Sequence, residues 1–313
     1  MILAVDGGNS KTDVVLVGDD GALLGQARGP LSSPHHLGLD ASVDLLAGLV
    51  AEAGLNGRRA DVAQVLLAGV DFPEEEHRLH AALEPRAWAR RLRVGNDTFA
   101  LLRAGTDRGW GIAVVCGAGI NCVGVAPDGR HVRFPALGTI TGDWGGGYDV
   151  GLAAIWAAAR SEDGRGPKTV LEQLVPRHFG VDTPLDLSLA IHTGRVEQRR
   201  AVELAPLVLA TAADDPVADG IVVRLAGEVV ALVRATATRL RLSDIDVVLG
   251  GGMMRGATDR LLALIHEGLA DLELTLVRAS APPIVGAALL ALDELGVTDE
   301  VRARARREIE EAF

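Results

Sequence analysis

A chain of 313 residues is too long for one small core and suits two domains of roughly 100–200 residues each. Hydrophobic residues make up 48% and aromatics only 3%, so the cores must be built mainly from Val, Leu, Ala and Ile. The net charge of −11 argues against nucleic acid or an anionic membrane as main partner, and two cysteines provide neither a disulfide framework nor a four-thiolate metal site.

The chain opens directly on the strand-like Ile2–Val5, which leaves no room for a signal peptide. No apolar stretch reaches about 18 residues free of charge or turn residues, as a membrane-spanning helix would. A cytoplasmic protein is therefore expected. Residues 2–28 read as strand, glycine turn, strand, Asp-Gly turn, strand, a β-meander. Asp6 ends its first strand and enters the turn formed by Gly7, Gly8, Asn9, Ser10, Lys11 and Thr12. Glycines let a phosphate approach the backbone, amides and hydroxyls can hold its oxygens, and a carboxylate there suits Mg²⁺ held through water. A plain hairpin turn accounts for the same residues equally well.

The loop Leu31–Gly38 carries His35 and His36. Adjacent histidines point in different directions on most backbones, and no cysteine or acidic ligand stands nearby, which argues against zinc. An amphipathic helix follows near 41–53, then a strand at 62–68, a helix near 75–84 and a strand at 91–95. Asp97 comes next, ahead of the helical Thr98–Arg103. It reads either as the N-cap of that helix or as a strand-end carboxylate available for proton transfer.

Residues 111–134 repeat the meander, with Gly117-Ala118-Gly119 at the place of the first glycine turn. Two such turns could clamp a phosphate chain from both sides. A dinucleotide fingerprint needs a helix straight after its glycines, whereas a strand follows here. A helical region then spans about 147–240, in which Asp214-Asp215-Pro216 supplies N-cap candidates and a first-turn proline. Strand Ile245–Leu249, a helix near 257–269, a strand at 272–277 and a helix near 283–295 complete the second copy. The order βββαβαβα thus occurs twice, the second copy carrying a helical insertion. An α/β protein is expected, with domains at 1–107 and 108–296, and ligands at the strand ends or in the cleft between the domains. The polar helix within 297–313 is expected to pack back on the first domain. Its arginine-rich run, Arg302–Arg307, reads as a solvated face.

The pairing of Ala4–Thr12 with Val114–Cys122 resembles the hexokinase–actin–chaperone superfamily of ATP-dependent proteins. Within it the pattern is most similar to the N-acetylglucosamine kinase and BadF/BadG-type ATPase family. The resemblance covers nearly the whole chain: the turn 6–12, Gly95-Asn96-Asp97, the turn 117–122, Gly142-Asp143, the segment 250–256 and Val285-Gly286-Ala287-Ala288. It implies two ribonuclease H-like (actin-like ATPase) domains, with ATP and Mg²⁺ as cofactors and a small-molecule sugar as acceptor. Asp97 falls where the family has its catalytic base. The two glycine turns would take phosphates, and Gly250, Gly251, Gly252 and Met253 fall in the adenosine-binding segment. Asn96, Asn121, Gly138, Thr139 and Asp143 match its sugar-binding places, and His35 lies in the loop that reaches the sugar. Asn121 as a turn cap, and Gly250–Gly252 as a ligand-free strand-to-helix turn, stay open beside these roles.

The sequence departs from the family pattern at Trp144, where Gly-Asp-Glu-Gly has its glutamate, at Pro34, where an asparagine is common nearby, and near Leu137, where some members have a tryptophan. Trp144 could stack on a sugar or anchor its loop. The implied reaction is phosphorylation of an amino sugar at its 6-hydroxyl, with N-acetylglucosamine the first choice and glucosamine an alternative. Rival readings are an ATPase that activates a partner reductase through a shared iron–sulfur cluster, and a sugar sensor without catalysis. Cys116 and Cys122 flank a phosphate turn and do not look placed for a cluster, while intact Asp6 and Asp97 weigh against a sensor. A homodimer is common in such folds.

Overall fold

The computed structural model describes residues 1–313. One compact unit consists of 1–113, 123–135 and 277–313, and a second of 114–122 and 136–276. In the first, β1 (Ile2–Gly7) and β2 (Lys11–Val17) are almost wholly buried, as continuous apolar strands inside a covered sheet must be. β3 (Leu23–Pro30) lies at an edge and keeps several positions exposed. After α1 (Pro34–Leu37) and α2 (Leu39–Glu52) come β4 (Ala60–Leu67), α3 (Pro73–Leu83), β5 (Ala89–Asn96) and α4 (Thr98–Gly105). The strand order is β3-β2-β1-β4-β5, antiparallel through the meander and parallel from β1 to β4 to β5. Side chains alternate across the sheet. Leu3, Val5, Val14 and Leu16 therefore join the core under α2 and α3, while Ile2, Ala4, Val15 and Val17 join a second core on the other face.

The second sheet is formed by β6 (Gly111–Cys116), β7 (Ile120–Val125), β8 (His131–Arg133), β9 (Ile245–Gly250) and β10 (Leu274–Arg278). Its order, β8-β7-β6-β9-β10, repeats that of the first. The duplication legible in the sequence is a duplication of sheet topology. The helical insertion holds α5 (Gly146–Glu162), α6 (Leu171–His178), α7 (Pro184–His192), α8 (Ala205–Thr211) and α9 (Pro216–Leu240), and α10 (Gly252–Arg255) and α11 (Asp259–Gly268) follow β9. Of the N-cap candidates Asp215 serves: its carboxylate accepts from Val217 N and Ala218 N at 2.9 Å each and also holds Thr169 and Val170. The sequence reading does not contain α1 and α10, because a single helical turn leaves no periodic signal.

The helix expected at 283–295 in the second half instead groups with the first unit. This helix, α12 (Pro283–Leu295), is buried from Ile284 through Leu292 apart from Leu290, and a helix apolar around most of its girth needs cover on more than one side. It packs with Ile2, Ala4 and Val62 of the sheet, and Gly286 brings it against the backbone of α4. The last helix, α13 (Asp299–Ala312), adds Ala305 and Ile309 to the same core. Its arginines meet acids: Arg302 pairs with Asp293 and Asp299, Arg304 with Asp20 and Glu308, and Arg306 with Asp107 and Glu310. No helix is long and apolar enough to cross a membrane.

Candidate active site

Parallel pairing of β1, β4 and β5 brings their C-terminal ends to one edge of the first sheet, with Gly7, Leu67 and Asn96 in one row across the strands. Asp6 and Asp97 therefore stand at the same edge, two strand spacings apart, about 10 Å between backbones. Asp6 is 7% exposed. Burial, then the charges of Asp97 and Asp13, hold its carboxyl well above the usual carboxylate range, with Lys11 opposing. A carboxylate with so little compensation fits a divalent cation, whose charge would reverse that shift.

Asp97 occupies the N-cap position of α4, yet its side chain makes no capping hydrogen bond. Asn96 takes that duty, accepting from Thr98 N at 3.0 Å and from the Thr98 hydroxyl. The Asp97 carboxyl is pushed up to about 7 by burial and then by the charge of Asp71, against the pull of the backbone amides of Asp97 and Thr98. A carboxyl held near 7, whose side chain makes no capping hydrogen bond, suits a general base at neutral pH.

Within the turn after β1 the residues divide. Gly8 N donates to Lys11 O, and Asn9 and Ser10 form the exposed tip. Gly7 is required by space: a Cβ there would lie 2.2 Å from Ser32 Oγ and 2.3 Å from Leu67 Cδ2. Thr12, expected among the phosphate ligands, is fully buried and gives its hydroxyl to Pro30 O at 2.7 Å. Lys11 pairs with buried Asp13, which Arg28 also holds at 2.6 Å. The hydroxyls of Ser32 and Ser33, on the loop beside Gly7 and Gly69, are buried without a protein partner.

Asn96, expected to touch substrate, is 1% exposed, and its amide nitrogen donates to Asp71 Oδ1 at 2.8 Å. Both ends of its amide are thus taken up inside the protein. His35 is exposed and lies 2.9 Å from Glu75 Oε1, while Glu75 Oε2 accepts from Asp71 N and Phe72 N. His35, Asp71 and Glu75 come together within 4.8 Å of one another. The sequence shows no acidic neighbour for His35, and the fold supplies two. Asp71 and Glu75 are the residues that sequence reading missed. The available signal was topological: β4 lies between β1 and β5, so a carboxylate just past its end must share their edge.

In the second unit, Gly117–Gly119 joins β6 to β7, with Ala118 and Gly119 exposed. Two close backbone approaches fix this turn. Gly146, at φ +76°, would put a Cβ 2.5 Å from Gly119, and Gly251, at φ +91°, would put one 2.4 Å from Cys116 O. Gly147 N and Tyr148 N donate to Gly117 O and Ala118 O. Gly251 and Gly252 therefore do lie beside the turn, while Gly250 and Met253 are buried. Asn121, near the start of β7, accepts from Cys122 N at 2.7 Å. Gly138, at φ +63°, and exposed Thr139 open a turn in which Gly138 O receives Asp143 N at 2.9 Å, and Asp143 accepts from Thr141. One face of Trp144 is covered by Arg224, whose guanidinium carbon lies 3.9 Å from the ring centre. Cys116 and Cys122 are buried, and burial pushes both thiols up to about 12.

Two sheets of identical strand order, each with a glycine turn after its first strand, and carboxylates at the strand ends of the first define an actin-like ATPase fold. The sequence matches the BadF/BadG/BcrA/BcrD ATPase family over residues 3–291, and the chain belongs to that family. It is 30% identical over 261 residues to the N-acetylmuramic acid/N-acetylglucosamine kinase of Clostridium acetobutylicum, covering 81% of this chain and 85% of that one. The N-acetyl-D-glucosamine kinase of Dictyostelium discoideum is 26% identical over 325 residues, 94% of this chain and 98% of its own. Among solved structures, a protein of Chromobacterium violaceum assigned as an N-acetylglucosamine kinase superposes with a TM-score of 0.71 at 26% identity, over 93% of this chain and 98% of its own. A ROK family glucokinase of Streptomyces griseus shares the fold, with a TM-score of 0.59 at 18% identity over 93% and 99% of the two chains.

Proposed function

We propose that this chain is an ATP-dependent sugar kinase that transfers the γ-phosphate to the 6-hydroxyl of an amino sugar, N-acetylglucosamine. The observation that carries the reading is Asp97: a carboxyl at the N-cap of α4 that is freed from capping by Asn96 and held near 7. Asp97 accepts the proton of the sugar hydroxyl as that oxygen attacks phosphorus, and Asp6 holds the hydrated Mg²⁺. When bound, the ion supplies charge neutralisation for the phosphates. The open tip Asn9-Ser10, the turn Gly117–Gly119 and the strand end Gly251-Gly252 receive the nucleotide, and His35, Asn121, Thr139 and Asp143 the sugar. The names of the two curated relatives support N-acetylglucosamine, with N-acetylmuramic acid the second acceptor to try. The proposal includes a cytoplasmic location and a homodimer. Two buried thiols held protonated weigh against cluster ligation in a reductase activator.

ADP release with Mg-ATP tests the function over N-acetylglucosamine, N-acetylmuramic acid, glucosamine, N-acetylmannosamine and glucose. N-acetylglucosamine should give the highest kcat/KM, and ADP release that no sugar stimulates would sink the kinase reading. A pH profile provides a second check. A base must be ionised to act, so kcat/KM should fall about tenfold per unit as pH drops below about 7, and level off above it. A profile flat between pH 5.5 and 7 would remove Asp97 from the role.

A further inference from the structure

The Asn96 side chain has one donating and one accepting end, and a half-turn of the amide exchanges them. Here the donating end meets Asp71 Oδ1 at 2.8 Å, and the accepting end meets Thr98 N at 3.0 Å and the Thr98 hydroxyl. Asn96 and Thr98 are each 1% exposed, so neither end can turn to water instead. An acceptor at Asp71 is what keeps the donating end away from Thr98. Turned over, the amide would set N–H against N–H and strip α4 of its cap. Asp97 lies between these two residues in the chain, so the backbone that carries it is held on both sides. Asp71 stands on the loop after β4, the strand between β1 and β5. Glu75 holds Asp71 N and pairs with His35.

We infer that Asp71 is a positioning residue: by fixing the Asn96 amide it sets the orientation in which Asp97 meets the acceptor hydroxyl. The inference rests on Asp97 being the base. Asp71→Ala should lower kcat by about 10–100-fold, the cost of a misdirected reacting group, with KM for sugar and for ATP within about threefold of wild type. Asn96→Asp sets two carboxylates face to face and should lose a similar amount. The exchange Asp71→Asn with Asn96→Asp puts donor and acceptor back in swapped places, and should return kcat to within about fivefold of wild type. Because the exchange restores the hydrogen bonds among positions 71, 96 and 98, it decides the question even if Asp71→Ala fails to fold in a thermal melt. Three results would overturn the inference: wild-type kcat in folded Asp71→Ala, a loss confined to sugar KM, which would make Asp71 a direct ligand, or an exchange no faster than Asn96→Asp alone. Asp97→Asn, run alongside, separates the two readings. Turnover surviving in that variant removes the base, whereas an inactive Asp97→Asn beside a fast Asp71→Ala removes only the positioning role.

Discussion

Replacing Asp97 with Asn should lower kcat by about a thousandfold or more, within the range a general base contributes, while sugar still binds. The substitution keeps size and shape and removes only the ability to take a proton. ADP release gives the loss, and titration calorimetry with sugar gives the retained binding. The same change separates catalysis from folding. The Asp97 carboxyl is raised in the folded protein, so its protonated form is favoured there. The stability that proton contributes is complete below the unfolded carboxylate value and is lost as pH rises through about 7. Asn carries no such penalty, so at pH 8 the variant should melt at the wild-type temperature or above it. An inactive protein that melts lower would place the loss in the fold. Near-wild-type turnover would end the case for Asp97.

The largest expected effect on stability lies at Gly286, far along the chain from the site. A Cβ on that residue would stand 1.8 Å from Ala100 O and 2.7 Å from Ala104 N, both backbone atoms of α4. Neither can turn aside as a side chain would, so Gly286→Ala must push α12 and α4 apart and open the core that holds Ile2, Ala4 and Val62. Overpacking of this kind costs about 3 kcal/mol or more, which for a chain of 313 residues lowers Tm by roughly 5 °C or more. Because α4 begins at Thr98, directly after Asp97, the folded fraction should also turn over more slowly than wild type. A variant that melts within about a degree of wild type would show that the two helices yield more readily than their contact suggests.

Val285-Gly286-Ala287-Ala288 shows where sequence reading works and where it stops. The motif was recognisable, but nothing in its residues says that Gly286 meets α4, because that contact joins positions far apart in the chain. The repeated βββαβαβα order was legible for the opposite reason. Strand burial, hairpin turns and helix periodicity are local, and two copies reinforce each other. Asp6 stood out because it ends an apolar run, and Asp97 because it falls at the junction of a strand and a helix, both of which local pattern reveals. Thr12 and Asn96 could not be sorted from the open positions of the site, since what occupies their side chains, Pro30 O and Asp71, comes from other strands and loops. Asp71 itself sits in Val70-Asp71-Phe72-Pro73, an unremarkable helix entry until β4 is seen to lie between the other two strands. The placement of α12 was misjudged because chain order assigned it to the nearest sheet, while its nearly all-round apolar surface needed the first.

The cover that α12 and α13 place over Ile2, Ala4, Val15 and Val17 also bears on the order in which the protein can be made. The strands carrying those residues leave the ribosome well before the helices that cover them. At about 5–20 residues per second, one apolar face of the first sheet stays bare while residues 18–282, which separate Val17 from α12, are made. Chaperone dependence during translation, and aggregation of chains that stop short of Pro283, follow from that delay.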